Sequence, residues 1–184
     1  MTEKVKAQII DPESLDRTIT RLAHEIIERN RGVENLVILG IRTRGVPIAE
    51  RIIEKIYGIE HKRLLLGILD VTMYRDDVFK KIKQPKVQTT KIGFDIDGKT
   101  VILVDDVLYT GRTVRAALDA IMDFGRPTKI ELAVLVDRGH RELPIRADYV
   151  GNNLPTSLGE EVKVRVKEVD KLDGVFLMEV SGEN

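Results

Sequence analysis

The chain has 184 residues, 42% hydrophobic and 33% charged, which suits one domain with a sizeable core and excludes an intrinsically disordered chain. Thirty basic residues offset thirty acidic ones, so no global charge draws the protein to nucleic acid, and any such contact must come from a local patch. Without cysteine there are no disulfides or thiolate metal sites, the three histidines (His24, His61, His140) lack ligand-like spacing, and four Phe, four Tyr and no Trp argue against a single-strand reader built on stacked aromatics.

No apolar run approaches the roughly 18 residues of a membrane span. The opening MTEKVKAQIIDPE has no apolar stretch of signal-peptide length. A cytoplasmic location with no membrane partner is expected. The first element is a helix from about Asp11 to Arg31, with Asp11 as N-cap, Pro12 at the first helical position and Gly32 at the end. Its stripe Leu15, Ile19, Leu22, Ile26 should face the core. A buried strand, Leu36 to Ile41, leads through the polar turn RTRG into a helix from about Val46 to Tyr57, closed by Gly58.

A strand near Leu64 to Asp70 comes next. The charged stretch from about 71 to 92, with KKIKQPK at its middle, reads as a long mobile loop or hairpin. Asp97-Gly98 turns into the strand Thr100 to Asp106. A helix follows from about Gly111 to Phe124, and then a buried strand, Ile130 to Asp137. Tyr149, Val162 to Val169 and Val175 to Val180 suggest short strands, the last two joined at Leu172-Asp173-Gly174. Apolar strands alternating with helices imply a central, mostly parallel sheet flanked by helices, an α/β fold. A small C-terminal β region, about 150–184, completes one domain spanning 1–184.

The chemistry concentrates in VILVDDVLYTGRT, Val101 to Thr113. Ligands of open α/β sheets bind outside the carboxyl ends of strands, and a helix N-terminus there offers free N–H groups to a phosphate. Gly111 permits close backbone approach, and the hydroxyls of Thr110 and Thr113 can donate to phosphate oxygens. Asp105 and Asp106 would repel a phosphate, so their partners are sugar hydroxyls or a hydrated Mg²⁺. A phosphate cradle beside hydroxyl acceptors describes a ribose-5-phosphate site. Gly93 to Thr100 fits the Walker A spacing, but Lys99-Thr100 leads into a strand and Asp95 and Asp97 would sit in the nest, so that match is rejected.

The thirteen-residue string closely resembles the 5-phosphoribosyl-diphosphate (PRPP) motif of type I phosphoribosyltransferases. That resemblance implies PRPP or UMP binding by Asp105, Asp106, Val107, Leu108, Tyr109, Thr110, Gly111, Arg112 and Thr113, with Asp105 and Asp106 catalytic and Mg²⁺ arriving with PRPP. Within GIRTRG, Gly40 to Gly45, Thr43 and Arg44 match the family's pyrophosphate loop, as Arg forks suit a diphosphate. Asp70 to Asp77 resembles its flexible catalytic loop, which implies that Arg75 balances the leaving group.

Over nearly the whole chain, the match is to bifunctional pyrimidine attenuation regulators with uracil phosphoribosyltransferase activity. Its most distinctive string is LVDRGHRELPIRADYVG, Leu135 to Gly151. It implies that Val136, Asp137 and Arg138 lie beside uracil, with Val162 on a hood strand nearby. Tyr109 stands where some purine-using members carry an acid, which argues against a purine. On a helical wheel Arg17, Thr20, Arg21 and His24 fall opposite the apolar stripe, and Arg138, His140, Arg141 and Arg146 form a second basic cluster. By themselves these also fit solvated faces. The resemblance implies an mRNA leader stem-loop bound by Thr20, Arg21, His24, Arg29, Arg141 and Arg146 on a homodimer or homotetramer, although Arg29 falls near the apolar stripe. A nucleotide-sensing RNA-binding module with vestigial transferase activity, or a transferase for another base, is the alternative.

Overall fold

The computed structural model describes residues 3–75, 89–157 and 159–180. Strand β1 (Glu3–Ile10) leads into helix α1 (Pro12–Asn30), β2 (Leu36–Ile41), α2 (Gly45–Glu60) and β3 (Leu66–Leu69). A 3-10 turn over Thr72–Tyr74 precedes β4 (Thr100–Leu108), α3 (Arg112–Met122), β5 (Lys129–Asp137) and β6 (Tyr149–Asn153). Strand β7 (Glu160–Arg165), the single turn α4 (Lys167–Asp170) and β8 (Gly174–Val180) complete the chain. Most of the loop expected over 71–92 lies outside the described residues.

Strands β3-β2-β4-β5-β6 form a five-stranded sheet in which every pairing between strands is parallel. Alternate residues of its central strands feed two cores, because successive side chains of a strand point to opposite faces. Ile38, Ile102, Val104, Ala133 and Leu135 pack with α1 and α2. Val37, Leu39, Val101, Leu103, Leu132 and Val134 pack with Val114, Ala117 and Ile121 of α3. Helix α1 buries the expected stripe, Leu15, Ile19, Leu22 and Ile26. Asp11 caps it by accepting the Ser14 N–H at 2.7 Å. At its other end Arg31 takes the left-handed conformation, and the Gly32 N–H donates to the Ile27 carbonyl.

Three readings need correction. Gly58 does not close α2, which runs on to Glu60 and stops at left-handed His61. Val162 to Val169 is not one strand. Beyond Arg165 the chain turns helical because the Asp170 carboxylate accepts the Val166 N–H at 3.0 Å and the Asp173 carboxylate accepts the Lys167 N–H at 2.8 Å. The second, antiparallel sheet has the order β1-β8-β7, so the N-terminal strand β1 completes what looked like a purely C-terminal appendage. Val5 and Ile9 remain exposed, so β1 lacks the buried alternation that marks a strand in a sequence.

Candidate active site

Strand β4 sits at the middle of the parallel sheet and carries Asp105 and Asp106 near its C-terminal end, running on two residues past them to Leu108. Helix α2 starts against it with almost no clearance. A Cβ placed on Gly45 would lie 2.4 Å from the Val104 carbonyl oxygen, so only glycine fits. Gly40 has the same role at the end of β2, where a Cβ would meet the Cα of Val46 at 2.7 Å. These contacts bring the 42–45 turn, whose Arg42–Thr43 peptide is cis, beside the paired acids.

Asp105 is buried and accepts the Asp106 N–H at 2.9 Å, while Asp106 accepts the Val107 N–H at 2.8 Å. Burial, with the charge of Asp106 adding to it, pushes the Asp105 carboxyl well above the usual carboxylate range. Burial also raises Asp106, against the pull of its hydrogen bonds and of Arg44. Next to the acids, Gly111 takes φ 93° and opens α3 with no side-chain cap. The Arg112 N–H has only a long bond, 3.4 Å, to the Thr110 hydroxyl, and the N–H groups after it are those a helix start offers to an anion.

Two cavities flank this strand end and share Val107 and Tyr109. One, of about 330 Å³, is walled by Arg75, Asp105, Leu108 and the turn Thr110 to Val114, with Glu142 at its side. The other, of about 290 Å³, is walled by Arg44, Asp106, Arg138 and the whole run Glu161 to Arg165 of β7. Arg138 is buried, with its guanidinium 4.1 Å from the centre of the Tyr109 ring. It donates to the Glu160 carbonyl at 2.6 Å and the Thr156 hydroxyl at 3.3 Å, fastening the second sheet to the first.

Most of the residues expected at the site do line these cavities. Thr43 is exposed and outside both walls, and Val136 is buried in the core beneath. Asp137 is turned toward Arg141. Burial raises its carboxyl, but Arg141 and the Gly139 N–H outweigh burial and hold it below the usual range. Sequence reasoning missed Glu161, Lys163, Val164 and Arg165, which with Val162 line the smaller of these two cavities along an edge strand. It also missed Glu142, paired with Arg112 at 2.6 Å, and Asp170, which takes the Nε and Nη2 donors of Arg44 at 3.0 and 2.7 Å. These partners lie far off in sequence, and no spacing motif announces them. The rejected Walker-like string forms a turn before β4, with the Asp95 and Asp97 carboxylates taken by the N–H groups of Asp97 and Arg126.

The basic residues divide by environment. His24 and Arg146 are exposed, whereas the half-buried Thr20 donates its hydroxyl to the Asp16 carbonyl at 2.9 Å. Arg21 pairs with Glu25 at 2.6 Å and reaches the carbonyls of Val150 and Gly151. Arg29 bonds the Asp148 carboxylate at 2.8 Å and lies 5.4 Å from the centre of the Tyr149 ring, which accounts for its place near the apolar stripe. Arg141 is turned inward. It donates to the carbonyls of Tyr109 (2.7 Å), Ile145 (2.9 Å) and Gly139 (3.3 Å), and pairs with Asp137.

A parallel sheet whose middle strand carries two adjacent acids before a glycine turn and a helix start defines a class. The family model described as "Phosphoribosyl transferase domain" matches residues 7–168, and the chain belongs to that family. Full-length relatives narrow this to one group within it. The chain is 60% identical to "Bifunctional protein PyrR" of Pelotomaculum thermopropionicum over 96% of this chain and 97% of that protein. A protein of the same name from Clostridioides difficile is also 60% identical, over 95% and 98%. Among solved structures, a Bacillus anthracis hypoxanthine-guanine phosphoribosyltransferase superposes with a TM-score of 0.72 at 21% identity, over 96% of this chain and 99% of that one. That likeness shows the shared fold: a parallel sheet flanked by helices, with a smaller second sheet.

Proposed function

We propose that this chain transfers the phosphoribosyl group of PRPP to uracil, giving UMP and diphosphate, and that UMP in the same site controls its binding to a hairpin in pyrimidine mRNA leaders. The observation that carries the transferase reading is the pair of cavities joined at Val107 and Tyr109. The 5-phosphate enters the larger one, against the amides of the Thr110–Thr113 turn and the two threonine hydroxyls. Asp105 and Asp106 hold the ribose hydroxyls between the cavities. Diphosphate lies toward Thr43 and Arg44. As its bond to the ribose carbon breaks, the uracil nitrogen forms the new bond and gives up its proton, while Arg75 offsets charge gathering on the leaving group.

Uracil occupies the cavity along β7. That strand pairs with β8 on one edge only, and its other edge offers backbone donors and acceptors to the two carbonyls and two N–H groups of the base. Arg138 and Val162 line the same wall, while Val136 and Asp137 support it from below. Mg²⁺ would travel with PRPP and meet Asp105 and Asp106. Bound there, it would neutralise diphosphate charge.

For RNA we propose the surface formed by α1 and the β5–β6 connection, with Thr20, Arg21, His24, Arg29 and Arg146 presented to phosphates and Arg141 shaping the loop from within. The working form is a cytoplasmic homo-oligomer. Among the described residues no helix is long and apolar enough to cross a membrane. The deciding assay offers PRPP and Mg²⁺ with uracil, orotate, hypoxanthine or guanine. UMP formation well above the other products supports the proposal. Preferential turnover of a purine overturns it.

A further inference from the structure

The proposed function needs a physical link between the nucleotide cavity and the basic surface, and the β5–β6 connection supplies one. This segment hangs from the turn that would hold the phosphate. The Thr110 carbonyl accepts two of its N–H groups, from Glu142 at 3.0 Å and Leu143 at 3.1 Å, and the Leu108 carbonyl accepts the Arg138 N–H at 3.1 Å. Arg141 adds its bond to the Tyr109 carbonyl. The turn also packs against the segment so closely that a Cβ on Gly111 would lie 3.3 Å from the Cβ of Ile145.

Beyond Ile145 the same stretch carries the basic groups. Arg146 is exposed on it. Asp148 uses one carboxylate oxygen to accept the Leu132 N–H at 2.9 Å and the other to hold Arg29 at 2.8 Å. The carbonyls of Val150 and Gly151 then hold Arg21. Residues 108–112, the connection and the arginines of α1 thus form one continuous set of contacts. Besides Asp105, the described wall of the phosphate cavity holds one carboxylate, and it belongs to this set. Glu142 shares that wall with Thr110, Gly111 and Thr113 and engages the Nε of Arg112 at 2.6 Å.

We infer that Glu142 is the ligand-sensing group of this protein. It holds Arg112 at the cavity wall, and an entering phosphate monoester displaces it. Two forces act in the same direction. The ester carries about 1.5 to 2 negative charges at neutral pH and repels the carboxylate, and its oxygens compete for the Arg112 guanidinium, a strong donor to phosphate. Because the Glu142 N–H is tied to Thr110 and Ile145 abuts Gly111, displacement of Glu142 moves the connection and resets Arg146, Arg29 and Arg21. The pair is partly exposed, with side chains 34% and 52% accessible, so a bound phosphate can break it at small cost. This inference rests on the proposed UMP and RNA binding and names the residue that couples them.

The test uses the full-length chain and a hairpin RNA from the leader of the pyrimidine genes in the source genome, with affinities measured with and without saturating UMP. In the parent, UMP should raise RNA affinity about five-fold or more. Glu142→Gln keeps the size of the side chain but removes its charge, and should bind RNA without UMP as tightly as the parent does with it, so that the ratio falls toward one. A Glu142→Gln ratio equal to the parent's would overturn the inference while leaving the proposed function intact. A parent ratio of one would instead remove UMP control itself. Hydrogen exchange on the parent gives a measurement independent of any variant. UMP should change amide protection across residues 139–147, and unchanged protection there would also sink the inference.

Discussion

Gly45→Ala tests whether the tight seat of α2 on β4 is what places Arg44. The new Cβ would lie 2.4 Å from the Val104 carbonyl oxygen and 3.4 Å from the Asp105 Cα. The second distance is an ordinary contact, but the first is short by about 1 Å, and its neighbour is backbone in the middle strand of the sheet, which cannot swing aside. Helix α2 must therefore retreat by about that amount, taking Arg44 with it. Overpacking of this kind costs about 1–3 kcal/mol. At about 2–4 °C per kcal/mol for a chain of this size, Tm should fall by about 2–12 °C. Misplacement of a positioning group by about 1 Å can cost about 100-fold in rate. UMP formation from PRPP and uracil should accordingly fall far more than the fraction of folded protein does, with the larger share of the loss in kcat/KM for PRPP. A variant that melts with the parent and turns over at its rate would refute the argument.

Two further predictions concern buried acids. Tyr149→Phe removes a hydroxyl that donates to the buried Glu131 carboxylate, a charge-assisted bond worth about 1.5–3 kcal/mol, so Tm should drop by about 3–12 °C while the rate per folded molecule is kept. Thermal melts and a uracil assay on the same sample check both halves. For Asp105→Asn the sign is reversed. Since burial raises the Asp105 carboxyl, its contribution to folding is fully present below the ordinary carboxylate pKa and is lost as pH rises through the raised value. The Asn variant should therefore be more stable than the parent at neutral pH, with the gap closing on acidification, and denaturation midpoints across that range should show the crossover. An Asn variant less stable than the parent at neutral pH would contradict this assignment.

The parts of the molecule legible in the sequence were those with local causes. Asp11-Pro12 and the spacing of Leu15, Ile19, Leu22 and Ile26 define α1 almost to the residue, and the apolar runs Leu36–Ile41 and Ile130–Asp137 mark buried strands. The paired acids followed by Thr110-Gly111 were legible for the same reason, since strand, turn and helix start are contiguous. What escaped depends on distant pairing. Strand β1 exists because Val5, Ala7 and Gln8 pair with residues 178, 177 and 176 at the other end of the chain. The turn α4 is capped locally by Asp170 and Asp173, but the same carboxylates are held in place by Arg44 and Arg51, residues more than 100 positions earlier. The inward turn of Arg141, which a basic cluster in sequence cannot reveal, follows from carbonyls of Tyr109 and Ile145 that only the folded loop brings together.

The same distinction separates the two acids of the proposed site from a structural one. Glu131 and Asp105 both interrupt apolar β-strands and are both buried, Glu131 completely. Glu131, near the N-terminal end of β5, is surrounded by Tyr149, Asn30 and Lys129, and these partners outweigh burial and hold its carboxyl below the usual range. Asp105 and Asp106, at the opposite end of the sheet, each accept one neighbouring backbone N–H and face each other's charge, and burial raises both. A fold selected for stability alone would gain by replacing one of that pair, because a buried charge short of partners is costly. The acids lie where two cavities meet, beside the start of α3, and this supports the proposal that a ligand partners them. The acid at the other end has partners within the protein, Tyr149 and Asn30 on one oxygen and the Lys129 ammonium on the other.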